Sequence, residues 1–220
     1  TVQAQQSMVK IAPGIDVDHF LPTDASALRK SLGLTEKKVI VSVGRLVHRK
    51  GQDHLIEAMP EILKTVSNAH LLLVGEGPHR DHLQKLIQKH RLEGSVTLIG
   101  RIDYKDLPLY ICVGDTFAMP SRSRLMGLEV EGLGIVYLEA SACGLPVLAG
   151  NSGGAPDAVV QNETGLVVDG TNNKEIADAA IELLTKVDLS KKMSTAGRKW
   201  IVENWRWEIW SRSFEDLLNK

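Results

Sequence analysis

Leu128-Glu129-Val130-Glu131-Gly132-Leu133-Gly134-Ile135-Val136-Tyr137-Leu138-Glu139-Ala140-Ser141-Ala142-Cys143-Gly144 is the stretch around which the chain is organised. It opens as a polar turn broken by glycines. It then reads as a helix with Ile135, Leu138 and Ala142 at i, i+3 and i+7 on an apolar face. Gly144-Leu145-Pro146 stops that helix, and Val147-Leu148-Ala149 reads as the next strand. Glu131 precedes the helix and Glu139 falls on its second turn, so two carboxylates frame the turn. Gly132 and Gly134 let a ligand approach the backbone. The helix start offers unpaired N–H groups and a partial positive charge. Such a place fits a phosphate on the N–H groups and sugar hydroxyls on the carboxylates.

The pattern on either side of this stretch sets the fold. Short, continuous, β-branched runs occur at 38–43, 69–74, 95–99, 116–119, 147–149 and 165–168. Runs of that kind suit strands buried on both faces. Helical stretches alternate with them at 53–66, bent at Pro60, and at 79–91, 105–113, 135–143 and near 156–160. A short helix over 26–32 precedes the first strand. Strand–helix alternation predicts an α/β fold with a doubly wound, Rossmann-like parallel sheet, whose ligands bind at the carboxyl ends of the strands. After Asp169 the pattern turns helical, over 173–186, 189–204 and 207–218. Trp200, Trp205, Trp207 and Trp210 read most simply as packing residues there.

Composition bounds the function. The chain has 220 residues, 43% of them hydrophobic, enough for a substantial core. A net charge of −1 gives no electrostatic case for a nucleic-acid partner. No run of 18 apolar residues is present to span a bilayer. Cys112 and Cys143 both fall in apolar helical contexts and read as reduced core residues, so a cytoplasmic location is expected.

Gly44-Arg45-Leu46-Val47-His48-Arg49-Lys50-Gly51 is a second glycine turn, at the end of the first strand and just before a helix. A basic turn on the ligand edge of such a sheet is a diphosphate candidate. A helix N-terminus stabilises an anion by about 0.3–1 kcal/mol. A charge-assisted hydrogen bond contributes roughly 1.5–3 kcal/mol. Arg45 and Lys50 are therefore expected to hold the diphosphate, with helix ends orienting it. A solvated basic loop is the other reading of this turn taken alone. Gly100-Arg101-Ile102-Asp103 follows a strand on the same edge, where Asp103 can accept from a guanine edge or simply form a turn. Ser152-Gly153-Gly154-Ala155-Pro156 is a further glycine turn opening a helix. Ser121 to Gly127 is a loop with two arginines, which reads either as an ordinary exposed loop or as a contact for a phosphorylated or lipid-linked acceptor. His79 and His82, at i and i+3, read as a solvated helix face rather than a metal site.

Together these stretches resemble the family 4 retaining glycosyltransferases. The resemblance rests on Glu131 and Glu139 within Glu-Gly-Leu-Gly-Ile-Val-Tyr-Leu-Glu-Ala, on Ala142-Cys143-Gly144-Leu145-Pro146-Val147, on Ser152-Gly153-Gly154-Ala155-Pro156-Asp157, and on Gly44-Arg45-Leu46 with Lys50-Gly51. Phe117 to Pro120, the arginine loop and Gly127 to Gly132 narrow it to the actinobacterial GDP-mannose-dependent phosphatidylinositol mannoside mannosyltransferases. The family pattern often has Glu where Asp157 stands.

The resemblance implies the carboxyl-terminal, donor-binding half of a two-domain GT-B enzyme. It implies an interdomain hinge over 1–22, a nucleotide-sugar domain over 23–204, and a last helix over 205–220 crossing back to the other half. It implies Arg45, Lys50 and Glu131 as catalytic residues. Gly44, Arg45, Lys50, Ile102, Asp103, Gly132, Gly134, Ile135 and Glu139 become donor ligands. Glu139 is matched to the ribose hydroxyls, Glu131 to the hexose, and the Gly134–Ile135 backbone to the phosphate. It further implies retention of configuration, no metal or other cofactor, and a glycolipid or saccharide acceptor. Peripheral contact with the cytoplasmic membrane face would come through the amino-terminal half. Two other classes stay open on residues alone. A nicotinamide-dependent dehydrogenase needs Gly-x-Gly-x-x-Gly after the first strand, and neither Gly75-x-Gly77 nor Gly132-x-Gly134 continues that way. A non-catalytic nucleotide-sugar-binding or scaffolding domain fits the same residues.

Overall fold

A computed structural model describes residues 9–219. Helix α1 spans Ser26–Ser31, with the Asp24 carboxylate accepting from the Ser26 amide at its start. Strand–helix alternation follows: β1 Lys38–Val43, α2 Gln52–Thr65, β2 Ala69–Val74, α3 Arg80–Lys89, β3 Val96–Gly100, α4 Leu107–Cys112, β4 Thr116–Met119, α5 Ile135–Ala142, β5 Val147–Gly150 and β6 Gly165–Val168. Three helices close the chain: α6 Asn173–Thr185, α7 Val187–Asn204 and α8 Trp207–Leu218. The six strands form one parallel sheet in the order β3-β2-β1-β4-β5-β6.

Both faces of the sheet are covered, and the side chains sort by alternation. Val39, Val41 and Val43 of β1 face one core, with Leu72, Val74, Phe117, Met119, Val147 and Ala149. Tyr137, Leu138, Ala140 and Ala142 of α5 cover that side. Ile40, Leu71, Leu73, Ala118, Leu148 and Leu166 face the other core, beneath Leu55, Ile56, Met59 and Ile62 of α2 and Ile176, Ala180 and Leu183 of α6. So the helix after β1 and the helix after β4 leave toward opposite faces. The adjacent carboxyl ends of β1 and β4 are the point where the winding reverses, and a crevice opens there.

The predicted strands and long helices agree with the observed ones to within one or two residues. Two short helices differ. The stretch 105–113 divides into a 3-10 turn, Tyr104–Asp106, and α4, with Pro108 near the helix start. The helix expected near 156–160 is a 3-10 turn, Ala155–Ala158. On α5, Ile135 is exposed while Tyr137 is fully buried. The helix begins at Ile135, so that residue faces the crevice rather than the core.

Residues 9–22 pack against this domain, with Ile15, Val17 and Phe20 buried. The Arg198 guanidinium on α7 donates to the carbonyls of Phe20 (2.6 Å), Ala142 (2.7 Å) and Val17 (3.0 Å), tying that segment to the end of α5. The hinge reading for 1–8 lies outside the described residues. Helix α8 buries none of its residues; Trp207, Phe214 and Leu218 are exposed. Trp205 is buried between Trp200 and Trp210, each with ring centroids 5.6 Å from it. Trp207 therefore differs from the packing role expected of all four tryptophans.

The turn after β1 depends on Gly51, whose φ is +74° and whose absent Cβ would meet the Pro120 carbonyl of the turn after β4. Gly51→Ala should destabilise the domain by at least about 1–2 kcal/mol, the cost of left-handed backbone with a side chain, measured by urea unfolding. An unchanged unfolding midpoint would contradict this packing of the two turns.

Candidate functional site

Three turns converge on the crevice: 44–51 after β1, 120–134 after β4, and 151–154 after β5. The turn 120–134 is held from behind. The Ser152 hydroxyl accepts from the Glu131 amide (3.1 Å), and the Gly154 amide donates to the Glu131 carbonyl (2.9 Å). The Tyr137 hydroxyl donates to the Met119 carbonyl (2.7 Å) and lies 2.9 Å from the Ser121 hydroxyl. Gly134 precedes α5 in left-handed backbone, φ +74°, and a Cβ there would strike the Tyr137 ring. These contacts fix where Glu131 and the start of α5 stand.

The resulting cavity is about 500 Å³ and lined in part by Gly44, Lys50, Glu131, Gly134, Ile135 and Glu139. Pro13, Val43, Leu133 and Val136 complete its wall. Lys50 and Glu131 are each at least nine-tenths buried, and Lys50 Nζ lies 2.8 Å from Glu131 Oε2. The contact is ionic; its angles do not make it a hydrogen bond, and that oxygen has no other hydrogen-bond partner. Arg49 Nε is 3.7 Å from the same oxygen. Burial pushes the Glu139 carboxyl up to about 7, although the Lys50 ammonium opposes the shift. Lys50 thus serves two carboxylates across one cavity.

The structure gathers six of the expected site residues on this cavity: Gly44, Lys50, Glu131, Gly134, Ile135 and Glu139. The other four are not among its lining residues. Arg45 is exposed, and its carbonyl accepts from the Gln52 amide group (3.3 Å). Gly132 is exposed beside Glu131, and Ile102 packs partly against the core. Asp103 is exposed at the start of the turn Tyr104–Asp106, its carbonyl accepting from the Asp106 amide (3.1 Å).

Three features escaped the sequence reading. Arg49 reaches Glu131 where only Arg45 and Lys50 were singled out; its place one residue before Lys50 was the available signal. Arg122 is not on an open loop: both its terminal nitrogens lie 2.6 Å from the Asp53 carboxylate, and both residues are buried. Arg124 is paired with Glu129 at 2.8 Å. No local pattern announces the Arg122–Asp53 pair, whose members stand 69 residues apart in sequence. His79, expected on a solvated helix face, is the N-cap of α3 and buried. His79 does share a face with His82, their rings stacked 4.6 Å apart, but His48 of the turn after β1 covers it, ring centroids 3.6 Å away.

A doubly wound parallel sheet with this cavity at its reversal point is the fold of the carboxyl-terminal half of GT-B glycosyltransferases. The family model for glycosyl transferases group 1 matches residues 24–200, and the chain belongs to that family. It is 46% identical over 214 residues to the GDP-mannose-dependent alpha-(1-6)-phosphatidylinositol monomannoside mannosyltransferase of Mycobacterium tuberculosis (strain CDC 1551 / Oshkosh), covering 96% of this chain and 56% of that protein. It is 44% identical over 209 residues to the GDP-mannose-dependent monoacylated alpha-(1-6)-phosphatidylinositol monomannoside mannosyltransferase of Corynebacterium glutamicum, covering 93% and 54%. The chain spans about half the length of these curated relatives. Among solved structures, Anabaena Alr3699/HepE in complex with UDP superposes with a TM-score of 0.85 at 24% identity, over 95% of this chain and 56% of that one, which shows the shared fold. No helix among the described residues is long and apolar enough to cross a membrane.

Breaking the buried Arg122–Asp53 pair strands a charge between the β1 and β4 turns. Arg122→Ala should lower stability by about 3–5 kcal/mol, read from chemical unfolding. Replacing both partners with apolar residues should recover most of that loss. Equal losses in the single and double variants would contradict the assigned pairing.

Proposed function

We propose that this chain is the donor-binding domain of a retaining mannosyltransferase that uses GDP-mannose and a phosphatidylinositol-mannoside type of acceptor. The observation that carries the proposal is the buried Lys50–Glu131 pair beside Glu139, in a cavity large enough for part of a nucleotide-sugar. The relatives named above, at 44–46% identity, support the choice of donor and acceptor class.

In the proposed cycle the donor displaces Lys50 from Glu131. The ammonium turns to the diphosphate, and the freed carboxylate accepts hydroxyls of the hexose. Arg45, exposed on the same turn, swings onto the diphosphate. Backbone N–H groups at Gly134 and Ile135 orient a phosphate at the start of α5. Glu139 holds the ribose hydroxyls, and the backbone at Ile102 with the Asp103 carboxylate meets the guanine edge. The sugar–phosphate bond then breaks with charge growing on the diphosphate. Fixed cations stabilise that charge electrostatically, and we assign no metal to this step. The acceptor hydroxyl attacks the oxocarbenium-like carbon from the face the diphosphate leaves, and its proton departs with the diphosphate. Configuration is thereby retained.

The acceptor site belongs, in this proposal, to an amino-terminal half joined through the hinge over 1–22 and met by the last helix over 205–220. The same half would make peripheral contact with the cytoplasmic face of a membrane. On its own the chain binds donor and turns over little or none of it.

Calorimetric titration tests the proposal. GDP-mannose should bind more tightly than UDP-glucose, and Lys50→Ala should weaken it roughly ten- to a hundredfold. Tighter binding of UDP-glucose would overturn the mannosyl assignment. The raised Glu139 pKa adds a pH signature. Its ordinary value is 4.5, so at pH 6 the folded protein holds a proton there that the unfolded chain has lost. Stability from this group therefore falls as pH rises from 4.5 to about 7, and the carboxylate becomes a full acceptor only above that. GDP affinity should rise between pH 6 and pH 8 in the native chain more than in Glu139→Gln. Parallel profiles for the two would remove Glu139 from the ribose role.

A further inference from the structure

Three histidines from two separate turns meet beside the donor turn, outside the cavity described above. His48 opens the 3-10 turn His48–Lys50, His79 caps α3, and His82 lies on the first turn of α3. The His48 and His79 ring centroids are 3.6 Å apart, and His79 and His82 stack at 4.6 Å with planes 12° apart. Asp53, on the first turn of α2, completes the group. One of its carboxylate oxygens, a His48 ring nitrogen and a His79 ring nitrogen all lie within 4.8 Å of one another.

His79 is 6% exposed, and neither of its ring nitrogens has a hydrogen-bond partner among the described residues. Buried polar atoms are normally satisfied, so two orphan nitrogens on one ring call for an explanation. Packing alone does not supply one, because a hydrocarbon side chain would fill the place without the desolvation penalty.

We propose that His48, His79 and Asp53, joined by His82, bind a divalent transition-metal ion of the zinc class at a site separate from the donor cavity. Imidazole nitrogens with a single carboxylate favour zinc, cobalt, nickel or copper over magnesium or calcium.

The cations at the site are already neutralised, Arg124 by Glu129 and Arg122 by Asp53. Each Asp53 oxygen that accepts from Arg122 keeps a second lone pair for a metal. Arg122 then serves as the outer partner that orients a ligating carboxylate. A void of about 250 Å³, lined partly by His48, His79, Arg124 and Glu129, gives the ion a path in. Metal–nitrogen bonds of about 2.0–2.1 Å require the rings to draw together. The exposed His48 and His82 can do so by side-chain rotation. The ion would clamp the donor turn to the start of α3, one residue from Arg49 and two from Lys50.

The test uses the whole chain, free of affinity tags and stripped with chelator. Zinc is titrated by calorimetry and cobalt by visible absorption. The expected result is one equivalent bound in each case, with cobalt giving the intense bands of a tetrahedral ion. Magnesium should bind far more weakly. His79→Ala and His48→Ala should each weaken zinc at least roughly tenfold, while His54→Ala and His90→Ala leave it unchanged. His48 and His82 are exposed, so His48→Ala and His82→Ala give a reading even where His79→Ala unfolds the chain. No saturable zinc or cobalt binding at micromolar concentration, or equal affinity in His48→Ala and the native chain, would overturn the proposal.

Discussion

The contact between Lys50 and Glu131 is the constraint on which the rest of the domain is arranged. Two buried, opposite charges survive inside a protein only when each faces the other or a ligand. The fold brings them together from turns that follow different strands. Lys50 lies near the end of the turn after β1, and Glu131 near the end of the loop after β4. They meet because those two strands are neighbours in the sheet while their following helices pack on opposite faces. The reversal of winding that opens the crevice therefore also supplies the two charges that line it.

An ion pair in an otherwise apolar cavity is a poor source of stability, since desolvation offsets most of the attraction. Its value is more easily seen in binding. Lys50 is already desolvated and aimed into the cavity, so an incoming anion meets a cation that has little water to lose. Glu139, its carboxyl pushed up to about 7 by burial, adds a second group whose charge is only partly developed at neutral pH. A donor carrying a diphosphate at one end and hydroxyls on either side would satisfy the ammonium and both carboxyls together. The supporting contacts stand one layer back. Arg122 and Asp53 join the two turns, and the Tyr137 hydroxyl ties α5 to the end of β4.

Much of this was legible in the chain. Runs such as Val39 to Val43 and Leu71 to Val74 are apolar at every position but one, which is what a strand with two covered faces requires. The glycine turns after those runs stand at the carboxyl edge of the sheet, and six of the expected site residues share one cavity there. What was not legible depends on pairings across the sequence. Nothing near Arg122 reveals that Asp53 will neutralise it, so the arginine looked free. His79 looked solvent-facing because its spacing from His82 suits a helix face; the two rings do share that face, but His48 from a distant turn packs over it. Ile135 fitted an apolar stripe, yet the first residue of a helix that starts at a cavity faces the cavity. Arg45 matched a pattern but stands outside the lining, since its exposed side chain has no ion-pair or hydrogen-bond partner among the described residues to draw it inward.

The most direct measurement is a crystal structure of this chain with GDP-mannose bound. The account predicts that Lys50 will have left Glu131 for the diphosphate. Glu131 should contact the hexose, and Glu139 the ribose, in the cavity between the β1 and β4 turns. A donor bound elsewhere, or bound there with the Lys50–Glu131 contact intact, would contradict it.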